Sequence, residues 1–185
     1  YIYDNERSII NQREIGFDTD SFTNALVSSF RQDIDVILIG EMRDADTMAT
    51  AVTAAETGHL VLSTLHTNSA AQTIDRIIDM FPSEKQNQIR TQLASTLLGV
   101  ISQRLLPRVQ GGLIPAYELL LVTPAVQNLI REKRTHEIDN IIETSSEQGM
   151  MSMDRSLSDL VRSGQVPIDV AMKYARNPTL FQRLV

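Results

Sequence analysis

The sequence has no cysteine among its 185 residues and only three lysines. The lack of cysteine excludes disulfides, cysteine-ligated zinc and thiol catalysis, and it suits a reducing compartment. No apolar run approaches the roughly 20 residues that a membrane-spanning helix needs, and no signal-peptide pattern is present, so we expect a cytoplasmic chain without an integral membrane segment. A formal net charge of -6 disfavours nucleic acid and anionic lipid as partners.

None of the lysines follows a glycine. The phosphate-binding loop of P-loop NTPases requires Gly-Lys-Ser/Thr, whereas Lys85, Lys133 and Lys173 follow Glu, Glu and Met. Because the first residue is Tyr1 and not methionine, we expect the chain to be a fragment of a longer protein. Such a loop would then lie upstream, unless the acidic residues described below serve other chemistry.

The first half of the sequence alternates strand and helix patterns. Residues 35–40 (DVILIG) and 59–66 (HLVLSTLH) are short apolar runs rich in β-branched residues, which are typical of strands covered on both faces. A helical pattern with a terminal glycine, residues 45–58, separates them. A strand, a helix and a strand within about 30 residues predict a βαβ unit whose two strands are parallel neighbours.

The second half of the sequence reads as mainly helical. Residues 83–107 predict one long helix capped by Ser83, with an inner face formed by Ile89, Leu93, Leu97, Val100, Ile101 and Leu105. Residues 111–122 predict a strand or part of a hairpin, and four helices follow from Thr123. Residues 145–153 predict a flexible connection. We therefore expect an α/β core up to Val122 and a helical region after it.

Glu41 directly follows the first predicted strand. An acid in that position lies at the carboxyl edge of a parallel sheet, where α/β folds place their ligands, and Gly40 allows the backbone to approach one. In P-loop NTPases such an acid polarises the attacking water or helps to hold Mg²⁺. The alternative is an acid that merely ends a strand or pairs with Arg43.

Two histidines mark the ends of the second predicted strand. His66 is expected at the same edge as Glu41, where its imidazole and neighbouring hydroxyls such as Thr64 could contact a γ-phosphate. The alternative is a polar cluster that caps the next helix through Asn68 or Ser69. His59 lies at the opposite end of the strand, where a structural role is expected.

Five blocks of the sequence resemble, in order and spacing, those of the PilT-like type IV pilus retraction ATPases of the secretion ATPase superfamily: NQREIG, DVILIGEMRD, AAETGHLVLSTLHT, AAQTIDRIIDMFP and VISQRLLP. The second block resembles the family's atypical Walker B box, and the third resembles its His box. The family's Walker A loop and Asp box precede these blocks, which accounts for the missing lysine. One departure is Ile34, where the family usually has proline between two aspartates.

The resemblance implies that Glu41 activates the attacking water and that His66 senses the γ-phosphate. Arg13 and Arg31 match family arginines that reach nucleotide, some of them across a subunit boundary. The implied catalytic residues are Glu41, His66, Arg13 and Arg31. The implied nucleotide-binding residues are Gly40, Glu41, Arg43, His59 and His66. The implied cofactors are ATP and Mg²⁺, with Glu41 as a metal contact, either direct or through water.

The segment TPAVQNLIREKR resembles the AIRNLIRE-x-K helix of the retraction ATPases, with Val126 and Gln127 as departures. Without that match it reads as an ordinary amphipathic helix. Assembly and type II secretion ATPases often carry a four-cysteine zinc insertion, and this chain has no cysteine. Both observations favour the retraction subgroup.

The fold class expected from the resemblance is an incomplete RecA-like α/β ATPase core over residues 1–122, followed by a helical subdomain over residues 123–185. The family implies a homohexamer at the cytoplasmic side of the inner membrane, peripherally associated with the pilus machinery, which acts on a pilus platform protein. ATP hydrolysis would drive pilus retraction and twitching motility, and the fragment alone is expected to be inactive. Two alternatives stay open: a pilus assembly or type II secretion ATPase, and a non-catalytic ring subunit that binds partners.

Overall fold

The computed structural model describes residues 2–185 and consists of two compact units, divided in the chain between Leu65 and His66. The first unit contains α1 (Phe22–Ser29), β1 (Val36–Ile39), α2 (Ala45–Glu56) and β2 (Leu60–Ser63). The second unit contains α3 (Ala70–Asp79), α4 (Ser83–Thr96), β3 (Gly99–Pro107), β4 (Leu113–Leu121), α5 (Pro124–Arg131), α6 (Ile138–Thr144), α7 (Met153–Arg162), α8 (Ile168–Met172) and α9 (Pro178–Leu184). The boundary between core and helical subdomain that we expect after Val122 falls inside the second unit. A division of the second unit at that residue stays a prediction.

The first unit is the expected βαβ arrangement. Strands β1 and β2 pair in parallel, in a register that runs from Val36 opposite Leu60 to Ile39 opposite Ser63. Helix α2 connects them and ends at Glu56, with Thr57 as its cap, and Gly58 then adopts φ +101°, a conformation that favours glycine and turns the chain into β2. The prediction of two parallel neighbouring strands is confirmed.

Only one face of this strand pair is covered within the described residues. Helices α1 and α2 contribute to an apolar core that contains Leu26, Ile37, Ile39, Ala51 and Ala54. The alternate side chains are exposed: Val36 51%, Leu38 60%, Leu60 42% and Leu62 47%. The prediction that both faces are covered is therefore wrong for this chain, because both helices pack on the same side of the strands.

The long helix predicted over residues 83–107 ends early. Helix α4 stops at Thr96, and β3 then pairs antiparallel with β4, from Gly99 opposite Leu121 to Pro107 opposite Leu113. A Cβ at Gly99 would lie 2.8 Å from the carbonyl oxygen of Leu120, so the pairing requires glycine there. The helical prediction is wrong beyond Thr96, because the apolar residues that suit a helix face also suit one face of a hairpin.

The second unit has three further differences from expectation. Residues 145–153 are not a flexible connection: Met150 is 2% exposed, and Met151 forms a β-bridge with Leu119. Helix α9 was not predicted, yet its Phe181 is fully buried in a core with α7, α8 and the hairpin. The first residue of α4 is Ser83, and Pro82 takes the cap position, so Ser83 is not the cap that we predicted.

Helix α5, the segment that resembles AIRNLIRE-x-K, packs against α4. Its apolar edge, which consists of Val126, Leu129 and Ile130, is buried. Arg90 of α4 donates from Nη1 to the carbonyl oxygen of Ile130 at 3.3 Å. The helix therefore presents its polar side to solvent. None of the helices among residues 2–185 has both the length and the apolar character needed to cross a membrane.

The capping of α1 provides a test of the local structure. The Ser21 hydroxyl accepts from the backbone N–H of Asn24 at 3.1 Å, so Ser21 is the cap and the preceding acid, Asp20, is not. Ser21→Ala should lower the free energy of unfolding of this chain by about 0.5–2 kcal/mol, measured by urea titration. Asp20→Ala, the matched control, should stay within about 0.5 kcal/mol of wild type. Equal losses in the two variants would contradict the assignment.

Candidate functional site

The carboxyl edge of the strand pair carries the first group of predicted site residues. Gly40 and Glu41 leave β1 directly after Ile39, and Thr64 leaves β2 directly after Ser63. The Thr64 hydroxyl donates to the carbonyl oxygen of Gly40 at 2.6 Å. The parallel pairing and this hydrogen bond hold the two strand ends together, so the glycine-acid turn lies at the edge where ligands of α/β folds bind.

Glu41 is accessible at this edge. Its Oε1 lies 2.7 Å from Nη2 of Arg43, and the two side chains are 29% and 78% exposed. This is the ion pair that the structural alternative expects. An exposed pair of this kind contributes little to stability, about 0–1 kcal/mol, so the carboxylate can exchange Arg43 for another partner at small cost.

Asp44 is a second acid of the same turn, and no role was predicted for it from the sequence. Its Oδ1 accepts from the backbone N–H of Thr47 at 2.7 Å, and its Oδ2 accepts from the Thr47 hydroxyl at 2.8 Å. These bonds lower the pKa of Asp44 below its ordinary value of 3.8. The cap therefore stabilises the fold above that pH, and the stabilisation is lost as the pH falls through the lowered value. An aspartate directly before a helical pattern was the signal that could have found it.

The start of α2 is unfavourable for a phosphate. An open cleft of about 530 Å³ lies between the starts of α1 and α2 and is lined by residues that include Asp20, Asp44 and Asp46. Asp44 already uses a free N–H of the first helical turn. Helix N-termini often bind anions through their free N–H groups. Here Asp44 already accepts from one of these N–H groups, and the negative charges of the three aspartates repel a phosphate.

His59 lies at the other end of β2 from the edge of Glu41. Its Nδ1 is 3.0 Å from the carbonyl oxygen of Ala54, and its ring centroid is 5.6 Å from that of Phe30. These contacts join the end of α2 to α1, which favours the structural role expected from its position. A role of His59 in nucleotide binding stays a prediction.

The two arginines lie near the end of α1. Arg13 donates from Nη1 to the Ser28 hydroxyl at 2.9 Å and from Nη2 to Gln32 Oε1 at 2.7 Å. Arg31 is exposed and comes two residues after the last helical residue, Ser29. The structure thus brings Arg13 and Arg31 to one end of one helix, and their contact with nucleotide stays a prediction.

His66 opens the second unit and is exposed. The next residues are held to the first turns of α3: the Thr67 and Thr73 hydroxyls are 2.7 Å apart, and the Ser69 hydroxyl accepts from Gln72 N–H at 3.0 Å. The expectation that this polar cluster caps the following helix is correct, with Ser69 as the cap. His66 is therefore next to a loop that is hydrogen-bonded to the first turns of α3.

The carboxylate and imidazole side chains of this region offer few ligands for Mg²⁺. Among residues 2–185, the structure contains no group of three or more His, Asp or Glu side chains arranged to hold a metal ion. Glu41 offers one accessible carboxylate, and Mg²⁺ in nucleotide sites is commonly held by one or two carboxylates together with water and phosphates. Glu41 therefore suits a contact to an Mg²⁺ ion that is held mainly by phosphates, since the described residues form no dedicated metal cage.

The sequence around these site residues matches the model of a known protein family. The family model described as "Type II/IV secretion system protein" matches residues 8–113, a range that includes Arg13, Glu41 and His66. The chain therefore belongs to the type II/IV secretion system protein family.

Within that family the chain is PilT-like. The twitching motility protein of Neisseria gonorrhoeae is 47% identical to it over 178 residues, which are 96% of this chain and 48% of that protein. The type IV pilus retraction ATPase PilT of Pseudomonas aeruginosa is 44% identical over 181 residues, 98% of this chain and 53% of that protein. The chain thus spans about half the length of the curated relatives it matches.

A solved structure agrees with the sequence comparison. The pilus retraction motor PilT, crystallised with bound ADP, matches with a TM-score of 0.89 and 45% identity, over 99% of this chain and 52% of that one. This match confirms the α/β class expected from the sequence. The matched region includes the turn at Gly40 and Glu41, because almost the whole chain is covered.

The hydrogen bond between the two strand ends can be tested directly. Thr64→Val should cost about 0.5–1.5 kcal/mol of unfolding free energy, since it leaves the Gly40 carbonyl without this donor, and it should speed amide exchange over residues 40–43. Thr64→Ser keeps the hydroxyl and is the matched control. Unchanged exchange in Thr64→Val would show that pairing alone fixes the turn.

Proposed function

We propose that this chain is the part of a type IV pilus retraction motor that supplies the water-activating acid for ATP hydrolysis. The observation that carries the proposal is the accessible Glu41, placed after Gly40 at the carboxyl edge of a parallel strand pair. The likeness to PilT over nearly the whole chain supports it. The first unit then belongs to a RecA-like core whose remaining strands and phosphate-binding loop come from outside this chain.

Glu41 acts as the general base in this proposal. Its carboxylate orients the attacking water and accepts a proton from it, and Arg43 releases the carboxylate when the nucleotide site is assembled. Glu41 would contact Mg²⁺ directly or through water, and the ion would supply charge neutralisation on the phosphates. Thr64 keeps Glu41 in place by fixing the Gly40 carbonyl.

The other predicted residues have supporting roles. His66 donates a hydrogen bond to the γ-phosphate. Through this contact, the presence of the phosphate affects the loop that precedes α3. Arg13 and Arg31 are suited to anion recognition by their planar cations, and we propose that at least one of them reaches the nucleotide of a neighbouring subunit. A homohexameric ring would provide that neighbour, since a head-to-tail contact that closes makes a ring.

The retraction role is favoured over assembly or secretion by two sequence features. Helix α5 keeps the pattern that resembles AIRNLIRE-x-K, and the chain has no cysteine for a zinc insertion. Because the apolar edge of α5 is buried, its exposed polar residues, including Asn128 and Arg131, are the surface that we assign to contact with a pilus platform protein. The ring would act at the cytoplasmic side of the inner membrane.

A non-catalytic ring subunit is the second candidate. The accessible Glu41 argues against it, because a subunit that only binds partners has no physical need for an acid at the ligand edge. Turnover by the Glu41 variant distinguishes the two candidates.

In the full-length protein, Glu41→Gln should reduce kcat by about 10²–10⁴-fold and leave ATP affinity nearly unchanged. The amide keeps the shape of the side chain but cannot accept the proton. Steady-state ATPase assays and calorimetry would measure both quantities. Glu84→Gln, an exposed acid at the start of α4, is the control and should behave as wild type. Wild-type turnover by the Glu41 variant would remove it from the catalytic role.

The chain on its own should bind ATP poorly. No Gly-Lys-Ser/Thr loop is present to hold the phosphates, so titration calorimetry with Mg-ATP should show no saturation below about 1 mM. The full-length protein, titrated under the same conditions, is the control. Micromolar binding by this chain alone would mean that the missing loop is not required.

A further inference from the structure

The loop that follows His66 is held by side chains from distant parts of the second unit. Three polar groups of Asn68 have partners: its N–H donates to Gln72 Oε1 at 2.8 Å, its side-chain oxygen accepts from Arg104, and its carbonyl oxygen accepts from Arg176 Nη2 at 3.1 Å. Arg176 lies 108 residues further along the chain. The backbone two residues after His66 therefore depends on the C-terminal region.

Glu118 of β4 makes a second link to the same loop. Its Oε1 accepts from the backbone N–H of Ala70, the first residue of α3, at 2.8 Å. Arg176 binds the same carboxylate with both terminal nitrogens, Nη1 to Oε2 at 2.9 Å and Nη2 to Oε1 at 3.1 Å. One guanidinium thus contacts Asn68 directly and Ala70 through Glu118.

Glu118 requires these partners because it is 1% exposed. Burial raises the pKa of its carboxyl group, and Asp139 acts in the same direction, whereas the Ala70 N–H and Arg176 lower it. A buried carboxylate that loses its cation is strongly destabilised. Arg176 therefore opposes the effect of burial and favours the charged form of this carboxylate, which is the better acceptor for the Ala70 N–H.

The position of Arg176 is itself fixed. Asp154, at the start of α7 and 3% exposed, accepts from the backbone N–H of Arg176 at 2.7 Å and from that of Asn177 at 2.9 Å. Asp139 of α6 binds Arg176 Nη1 at 3.0 Å. The guanidinium thus joins α6, β4, the connection between α8 and α9, and the loop before α3.

We propose that Arg176 is a positioning residue for His66: together with Glu118 it holds residues 67–70 in one conformation and so ties the histidine to the C-terminal helices. The inference rests on the proposed role of His66 as a phosphate sensor. Lysine is a poor substitute, because the arrangement uses both terminal nitrogens of a planar guanidinium on one carboxylate.

The first experiment measures the loop without any enzymatic activity. In this chain, Arg176→Ala should speed amide hydrogen exchange at Asn68 and Ala70 by about tenfold or more, the change expected when hydrogen bonds to a charged group are lost. Arg183→Ala, which removes an exposed arginine of α9, is the matched control and should leave exchange unchanged. Unchanged exchange in Arg176→Ala would overturn the proposal.

The second experiment measures the consequence in the full-length protein. Arg176→Ala should lower kcat by up to about 100-fold with little change in KM, because a misplaced group slows the chemical step more than it weakens binding. Arg176→Lys should be intermediate. If the loop exchanges faster and kcat stays at the wild-type value, the link to His66 is overturned.

A third variant separates positioning from a folding defect. Arg176→Ala combined with Glu118→Gln removes the unpaired buried charge but still lacks the guanidinium that holds Asn68. The double variant should therefore be more stable than Arg176→Ala and keep its low kcat. Recovery of kcat together with stability would show that Arg176 serves folding alone. A failure of the proposed function is detected by a different experiment, the Glu41→Gln assay, in which turnover would stay at the wild-type value.

Discussion

Because β1 and β2 run parallel, the chain leaves both strands at the same edge of the first unit. Gly40 and Glu41 follow one strand and Thr64 follows the other, and the bond from the Thr64 hydroxyl to the Gly40 carbonyl fixes the distance between them. An antiparallel pairing would have placed these residues at opposite ends. The position of Glu41 at this edge, and with it the role as a base that we propose, depends on this pairing.

The acids of the first unit show how position decides chemistry. Asp44 is committed to the first turn of α2, which holds its pKa low and leaves it unsuited to accept a proton. Glu41 is three residues earlier and forms its ion pair with an exposed arginine, a pair that contributes little to stability. A count of carboxylates in DVILIGEMRD would not separate the two, whereas their hydrogen bonds do.

The second unit is organised by buried charge as well as by its apolar core. Glu118 and Asp154 are almost completely buried, and each is satisfied by partners that come from other elements. Such groups are costly unless every partner is present, so they favour one arrangement of β4, α6, α7 and the connection before α9. The loop after His66 is part of that arrangement, which gives the C-terminal helices a physical connection to a predicted nucleotide-sensing residue.

The amino-acid sequence by itself determined the βαβ unit, the placement of Glu41 after a strand and most of the helices, because these depend on local periodicity and on caps within a few residues. It also carried the family resemblance, on blocks that include both Glu41 and His66. The sequence analysis assigned residues 97–107 to a helix, which is wrong, because a four-residue spacing of apolar side chains such as Leu97, Ile101 and Leu105 suits one face of a helix and one face of a strand.

Only the tertiary structure decided that residues 99–107 pair with β4, where the partner strand supplies the hydrogen bonds that a helix would otherwise have made. It also decided which face of β1 stays exposed and that Arg176 meets Glu118 across 58 residues. A contact between polar groups so far apart leaves no periodic pattern in the sequence. It forms because burial of Glu118 requires a cation, and the fold brings Arg176 to it.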